Sequence, residues 1–317
     1  MIFWLELKQE LVNLFSKYEM IITHVGKFLL AFICLLMING QLGYMSALNN
    51  ILIVLMAALL CSILPVGFTV VMSAAFVIGH LHALSDECML VGLLLFLIMF
   101  LLYYRFSPKD TVAIMLLPIR FVLKIPYVVP IALGLLAGPA SVITIVFGLL
   151  TAYFLQYISQ NALTLGSMAG SDETVSRYQT IITNILGNET MWVMVGAFCI
   201  TLLVVYFIRR TSMDYSWQIA IVAGVLTNMM CLLIGDLVYS TDNSIIGVIL
   251  GNVLAALIAM VIQLFAFNLN YSRVEKVQFE DDEYYYYVKA VPKNTVATRE
   301  NKVKKINRSQ EQKSKRN

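Results

Sequence analysis

Apolar residues run through this chain in long blocks separated by short polar breaks. Stretches at about 25–45, 49–64, 66–83, 88–104, 139–158, 191–208, 217–235 and 245–267 approach the ~20 residues that cover ~30 Å of hydrocarbon. The pattern predicts an all-α integral membrane protein with about eight transmembrane helices. The second block is the shortest, and Pro65-Val66-Gly67 breaks it from the third. These two can equally be read as halves of one interrupted unit.

Ahead of the first block, Trp4, Leu7, Leu11, Leu14, Phe15, Tyr18, Ile22 and Val25 recur at three- and four-residue steps. One apolar stripe on a helix otherwise carrying Lys8, Glu10, Lys17 and Glu19 predicts that 1–27 is an amphipathic helix lying in the membrane interface. Glu6, Glu10 and Glu19 are unlike a signal peptide. A polytopic domain follows over 28–270. Within it, Ser171 followed by Asp172-Glu173, with Val175, Tyr178, Ile182, Ile185 and Leu186 on one face and Gly187 at the end, predicts a second amphipathic helix at about 172–186.

The stretch 106–137 breaks the pattern. Ser107-Pro108-Lys109-Asp110 has the form of a helix start with a capping box. Pro118, Pro126 and Pro130 then surround Arg120 and Lys124, and the apolar run 127–137 is too short to cross before Gly138-Pro139 closes it. We read 126–137 as a re-entrant half-helix, which needs protein or water to cover its freed backbone groups.

Composition names the solvent. The chain is 60% apolar and 13% charged, with mean hydropathy +0.80, against roughly 45–50% and about 25% for soluble domains. The net charge of +3 is unevenly shared: residues 1–270 hold ten Lys/Arg and twelve Asp/Glu, whereas 271–317 hold twelve and seven. Arg105, Lys109, Arg120 and Lys124 in one loop, Arg209-Arg210 in another and the basic tail predict one cytoplasmic side, with both termini on it. The body is committed to lipid, so nucleic acid is not an expected partner.

Inside the blocks the polar residues are neutral: Asn39, Gln41, Gln156, Asn228, Asn252 and Gln263. Polar groups at membrane depth are costly and count as pathway candidates, with inter-helix hydrogen bonding as the plainer role. Gly247, Gly251, Ala255 and Ala259 form a small-residue stripe on the last block, and Gly134 and Gly138 repeat that spacing. Such stripes let helices approach closely, within one chain or across a homo-oligomer seam. His80, His82, Asp86, Glu87 and Cys88 gather at a turn but match no metal-ligand spacing. Ser85 is expected to cap the next helix and the histidines to sit at headgroup level. The five cysteines form no Cys-x-x-Cys pair, and Cys88 is the one expected to face outside. No catalytic, cofactor-binding or metal-binding motif is found, so an enzyme is not expected.

After Asn270 the chemistry changes. Residues 274–280, an acidic turn at Asp281-Asp282, and Glu283–Val291 predict a cytoplasmic β-hairpin over 271–292, with Phe279 facing Tyr284 and Val277 facing Tyr286. Residues 293–317 are polar, basic and aperiodic, which predicts a disordered tail drawn to anionic headgroups. The run from Val274 through Glu280-Asp281-Asp282-Glu283-Tyr284-Tyr285-Tyr286-Tyr287 to Lys293 resembles uncharacterised polytopic membrane proteins of anaerobic Gram-positive bacteria, some labelled permease-like. That resemblance implies a bacterial plasma membrane. The Glu-Ala-Ala loop signature of ABC importer permeases is absent.

Two functions remain in view. One is a transport or permease-like component for an unidentified solute, with Asn228, Asn252, Gln263, Gly134, Gly138, Gly247 and Gly251 as pathway or packing residues. If a separate ATPase drives it, the 106–125 loop with Arg105, Lys109, Arg120 and Lys124 is the expected contact. The other is a membrane scaffold recruiting a cytoplasmic or envelope-assembly partner through Phe279, Tyr284, Tyr286 and the basic tail.

Overall fold

The structure, a computed structural model, describes residues 2–107, 110–111, 126–167, 174–239, 244–266, 275–280 and 285–290. It divides into two compact units, Lys17–Ala266 and a second formed by Met1–Ser16 with Phe267–Asn317.

The larger unit is helical. In chain order it holds α2 (Glu19–Gln41), α3 (Ile51–Ile63), α4 (Val66–Leu84), α5 (Asp86–Phe106), α6 (Val128–Leu136), α7 (Val142–Gln160, preceded by a 3-10 turn at Pro139–Ser141), α8 (Ala162–Ser167), α9 (Thr174–Leu186), α10 (Glu189–Arg209), α11 (Ser216–Tyr239) and α12 (Ile245–Ala266). Among the described residues seven helices are long and apolar enough to cross a membrane: α2, α4, α5, α7 with its 3-10 turn, α10, α11 and α12. The chain therefore has the make-up of a multi-pass α-helical membrane protein.

The second of the eight expected crossings, at 49–64, is corrected to a shorter element. α3 has 13 residues, about 20 Å at 1.5 Å per residue, well under the ~30 Å of hydrocarbon. Asn50 starts it, its side chain accepting from the Leu52 N–H at 3.0 Å, and Pro65 stops it because proline cannot donate into a continuing helix. α3 and α4 are separate helices, with the break at Leu64-Pro65. α3 lies antiparallel to α2: Asn39 Nδ2 donates to the Leu48 carbonyl at 2.6 Å, while at the other end Ser62 Oγ donates to the His24 carbonyl at 2.8 Å. Lys27 Nζ adds a bond to the Leu64 carbonyl at 3.2 Å.

α2 begins at Glu19, earlier than the hydropathy block, and ends where Gly43 takes φ 61°. That left-handed residue suits glycine and lets the chain turn out of the helix. α7 is the most enclosed of the long helices, with 61% of its apolar window buried against 17% for α2. Its Ile145, Leu149, Phe154 and Ile158 are fully buried, and the helix packs against α5, α8, α9 and α10.

α9 turns two apolar rows in different directions. Ile181 and Ile185 are buried, whereas Ile182 and Leu186 of the expected apolar face are exposed. Trp192 Nε1 donates to the Leu186 carbonyl at 2.6 Å, and Asn188 caps α10 by accepting from the Met191 N–H at 3.0 Å.

In the second unit α1 spans Ile2–Lys17, and β1 (Glu275–Glu280) pairs antiparallel with β2 (Tyr285–Ala290). The expected register is corrected by two residues: Phe279 stands opposite Tyr286, and Val277 opposite Val288. A two-residue turn at Asp281-Asp282 would need positive φ at both central positions, which favours Asn-Gly or Asp-Gly sequences. A four-residue connection, 281–284, joins the strands instead. Tyr284, the tail 293–317, and Lys109, Arg120 and Lys124 lie outside the described residues.

Candidate functional site

The short helix α6 sits against α10 and α12, and glycines set how closely it can approach. A Cβ on Gly134 would meet Val205 Cβ at 2.7 Å and the Leu202 carbonyl at 3.0 Å. A Cβ on Gly251 of α12 would run into the Tyr127 ring, and one on Gly224 of α11 into the Val205 side chain. Tyr127, immediately before α6, is buried and meets Phe198 edge-on with ring centroids 6.1 Å apart. Phe198 is near the middle of α10, whereas Val205 is close to its Arg209 end. α6 therefore runs from mid-span toward the end that carries Arg209.

Beside Tyr127, residue Gly251 is followed by Asn252. Asn228, in the middle of α11, donates through Nδ2 to Asn252 Oδ1 at 3.0 Å, and Asn252 Nδ2 donates to the Val248 carbonyl at 2.9 Å. Both side chains are 0% exposed. Asn228 Oδ1 has no hydrogen-bond partner. A buried carbonyl oxygen left without a donor costs about 1–3 kcal/mol, so the pair is both a cross-link and a vacant acceptor. No arrangement of two amides fills every position: each carboxamide has an acceptor with two lone pairs and two donor hydrogens.

The other candidates distribute around this pair. Gln263 is half-buried, eleven residues further along α12, about 16 Å away by helix rise, and does not join it. Gly251, Ala255 and Ala259 face inward, while Gly247 is exposed, its nearest neighbour being Ser244. Gly138 lies beyond the end of α6 and meets nothing within 4 Å. Arg105 is exposed at the end of α5. Gln156 of α7 also holds a buried Oε1 without a partner. Tyr127 was not a sequence candidate. Its only signal was a proline on either side of the tripeptide Tyr127-Val128-Val129, which says nothing of Asn252.

A polar cluster closes the Arg105 end of α5 and α7. Tyr103 OH lies 2.7 Å from Thr111 Oγ1, Ser107 Oγ donates to the Ala140 carbonyl at 2.8 Å, and Thr144 Oγ1 donates to Asp110 Oδ2 at 3.3 Å. The expected capping box is thereby corrected in part: the Ser107 hydroxyl is committed to Ala140 and the Asp110 carboxylate to Thr144, partners thirty-odd residues away.

At the opposite end His80 is fully buried rather than at headgroup level. Its Nδ1 accepts from the Met45 N–H at 3.1 Å and its Nε2 stands 2.8 Å from Asn39 Oδ1. His82 is exposed and pairs with Asp86 at 2.9 Å. Ser85 gives no cap: its hydroxyl donates to the Glu87 carboxylate. Cys88, expected to face outside, is buried. Among the described residues no three His, Cys, Asp or Glu side chains gather as metal ligands. In the loop after α2, burial and then the neighbouring Cys88 push the Tyr44 phenol up. An apolar groove of about 430 Å³ between α4 and α5 is lined by Ile78, Leu93, Phe96, Phe100 and Tyr104, and the Tyr104 hydroxyl donates to the Gly67 carbonyl at 3.2 Å.

No family model, no curated protein and no solved structure matches this chain.

Proposed function

We propose that this chain is a transport or permease-like component that carries a small uncharged polar solute across a bacterial plasma membrane, with both termini cytoplasmic. The observation that carries the reading is the fully buried Asn228–Asn252 pair, with its vacant acceptor, beside Tyr127. Neutral amides at mid-span recognise a hydrogen-bond donor without fixing a charge in the bilayer, where an ionised group is far more expensive.

The break at 126–138 supports the same reading. Ser107 and Thr111 are tied to Ala140 and Tyr103 at the Arg105 end. Tyr127 then lies at mid-span, and α6 runs back toward Val205. These placements support reading 126–137 as a re-entrant half-helix, and broken helices at mid-membrane are where transporters place their substrate sites. The test is flux of uncharged polar solutes, such as polyols and amides, into liposomes holding the full chain. Asn228→Ala and Tyr127→Ala should reduce flux of at least one solute about tenfold or more, while deleting 271–317 leaves it intact. Flux absent from the intact chain, or unchanged in both variants, would discard the reading.

The scaffold reading rests on a different observation, the separate unit that pairs β1 with β2. Two strands alone are marginal, so a partner or a membrane surface would complete them. Deleting 271–317 should then abolish co-purification of a cytoplasmic partner from cells while Asn228→Ala leaves it unchanged.

A further inference from the structure

The turn between α10 and α11 concentrates positive charge in an unusual way. The Arg209 guanidinium lies over the rings of both Tyr206, at 5.7 Å, and Trp217, at 5.5 Å. Arg210 lies over the same Tyr206 ring at 5.5 Å and donates from Nη1 to its hydroxyl at 2.5 Å. One tyrosine thus holds two cations. Aromatic faces attract guanidinium groups but carry no net charge, so they do not neutralise the pair. Among the described residues no carboxylate forms an ion pair with either arginine; the ion pair present there is His82–Asp86. Asp214, four residues from Arg210, is exposed.

We propose that Arg209 and Arg210 form a binding site for the phosphate of an anionic membrane lipid. Two planar forks with five N–H donors each match phosphate oxygens in a way that lysine does not. The aromatic rings fix both guanidinium planes beforehand, which lowers the ordering cost of binding. An anion seated between them also relieves the repulsion of two like charges held on one ring.

The surroundings select a lipid over a free phosphate. Phe207, Met213 and Tyr215, all within six residues of the two cations along the chain, are large apolar side chains left exposed, at the end of a membrane-length helix. A soluble anion has no use for them, whereas a phospholipid places its phosphate and the first methylenes of its chains against such a mixed surface. The turn passes through Tyr215 at φ 60°, the one non-glycine left-handed residue among those described. Trp217 follows two residues later, under Arg209.

The experiment measures binding to the full-length protein in a neutral detergent by native mass spectrometry, with phosphatidylglycerol, phosphatidylcholine or inorganic phosphate added at matched concentration. Phosphatidylglycerol should be retained in preference to phosphatidylcholine, and R209Q/R210Q should weaken that retention about tenfold. R209K/R210K, which keeps charge and loses the forks, should fall between. The basic tail is the same in every arm, so the difference between variants belongs to this site. Retention unaltered in R209Q/R210Q would overturn the proposal, as would equal binding of inorganic phosphate, which would make the occupant a soluble anion. Should the double variant fail to fold, R210Q alone and Tyr206→Phe provide the same comparison: retention unchanged in both overturns the site, and loss in either supports it.

Discussion

His80 Nε2 lies 2.8 Å from Asn39 Oδ1, and this pair ties α4 to α2 with a defined direction of hydrogen donation. The direction follows from its neighbours. Met45 N–H donates to His80 Nδ1, so the neutral ring carries its hydrogen on Nε2 and donates to Asn39. Asn39 Nδ2 then donates to the Leu48 carbonyl. A single chain of hydrogen bonds thus pins the 42–50 loop at Met45 and Leu48, and Gly79 leaves room for it, since a Cβ there would meet Leu48 Cδ1 at 2.7 Å.

His80→Ala should therefore cost about 1–3 kcal/mol, because it leaves the Met45 N–H and Asn39 Oδ1 without partners. Asn at position 80 presents an acceptor near the place of Nδ1, and Gln presents a donor near that of Nε2. Hydrogen exchange read at the Met45 amide separates them. Protection should survive in His80→Asn and be lost in His80→Gln and His80→Ala. Equal protection in all three would remove the loop-pinning role.

The two glycines of the small-residue stripe on α12 should respond very differently. A methyl group at Gly251 falls on the Tyr127 ring, which is buried and packed on Phe198. Gly251→Ala should cost about 1–3 kcal/mol by overpacking. Gly247→Ala places the same methyl in ordinary contact with Ser244 at 3.5 Å and should stay within about 0.5 kcal/mol of the native chain. Apparent melting temperatures of the two variants in one detergent decide the matter; similar losses would mean that the stripe acts through backbone propensity instead of contact with α6.

Hydrophobic patterning located nearly every long helix to within a few residues, because a span must present apolar side chains over its whole length. It found the Pro65 break after α3 but still counted the block among the crossings, since an apolar block does not show that the helix between Asn50 and Pro65 has only 13 residues. It named Asn228 and Asn252 separately, as polar residues at depth. That they bond to each other depends on the axial offset of α11 and α12, which no local pattern encodes. His80 is the plainest failure: its partners Asn39 and Met45 are 41 and 35 residues away, so its sequence neighbours His82 and Asp86 suggested a wet turn that only they occupy. The glycines carried partial information. Their spacing marked a close contact without marking Tyr127 as its occupant.

α9 offers a test of which apolar row matters. Five residues at helical spacing suggested one interfacial face that included Ile182 and Leu186, yet Ile181 and Ile185 are the buried pair. Ile181→Ala should cost about 2 kcal/mol or more, as for other large-to-small changes in a packed site. Ile182→Ala should cost well under 1 kcal/mol in unfolding experiments and should instead weaken contact with lipid or detergent. Reversed magnitudes would place the α9 contact on its other row.

The amide pair makes an asymmetric prediction. Asn252 both accepts from Asn228 and donates to Val248, whereas Asn228 makes a single bond and has a vacant oxygen. Asn252→Leu leaves the whole Asn228 carboxamide unmatched inside the bundle, so it should destabilise more than Asn228→Leu, which removes the vacant acceptor along with its donor. Inter-helix hydrogen bonds in membranes are worth about 0.6 kcal/mol on average, and the double-mutant cycle should return a coupling of that order. Stability and flux should then part company. Asn228→Leu is expected to fold nearly as well as the native chain and yet fail to carry solute, because the lost group is the one that no residue of the protein engages. A variant that loses stability and flux in proportion would mark the pair as a cross-link alone.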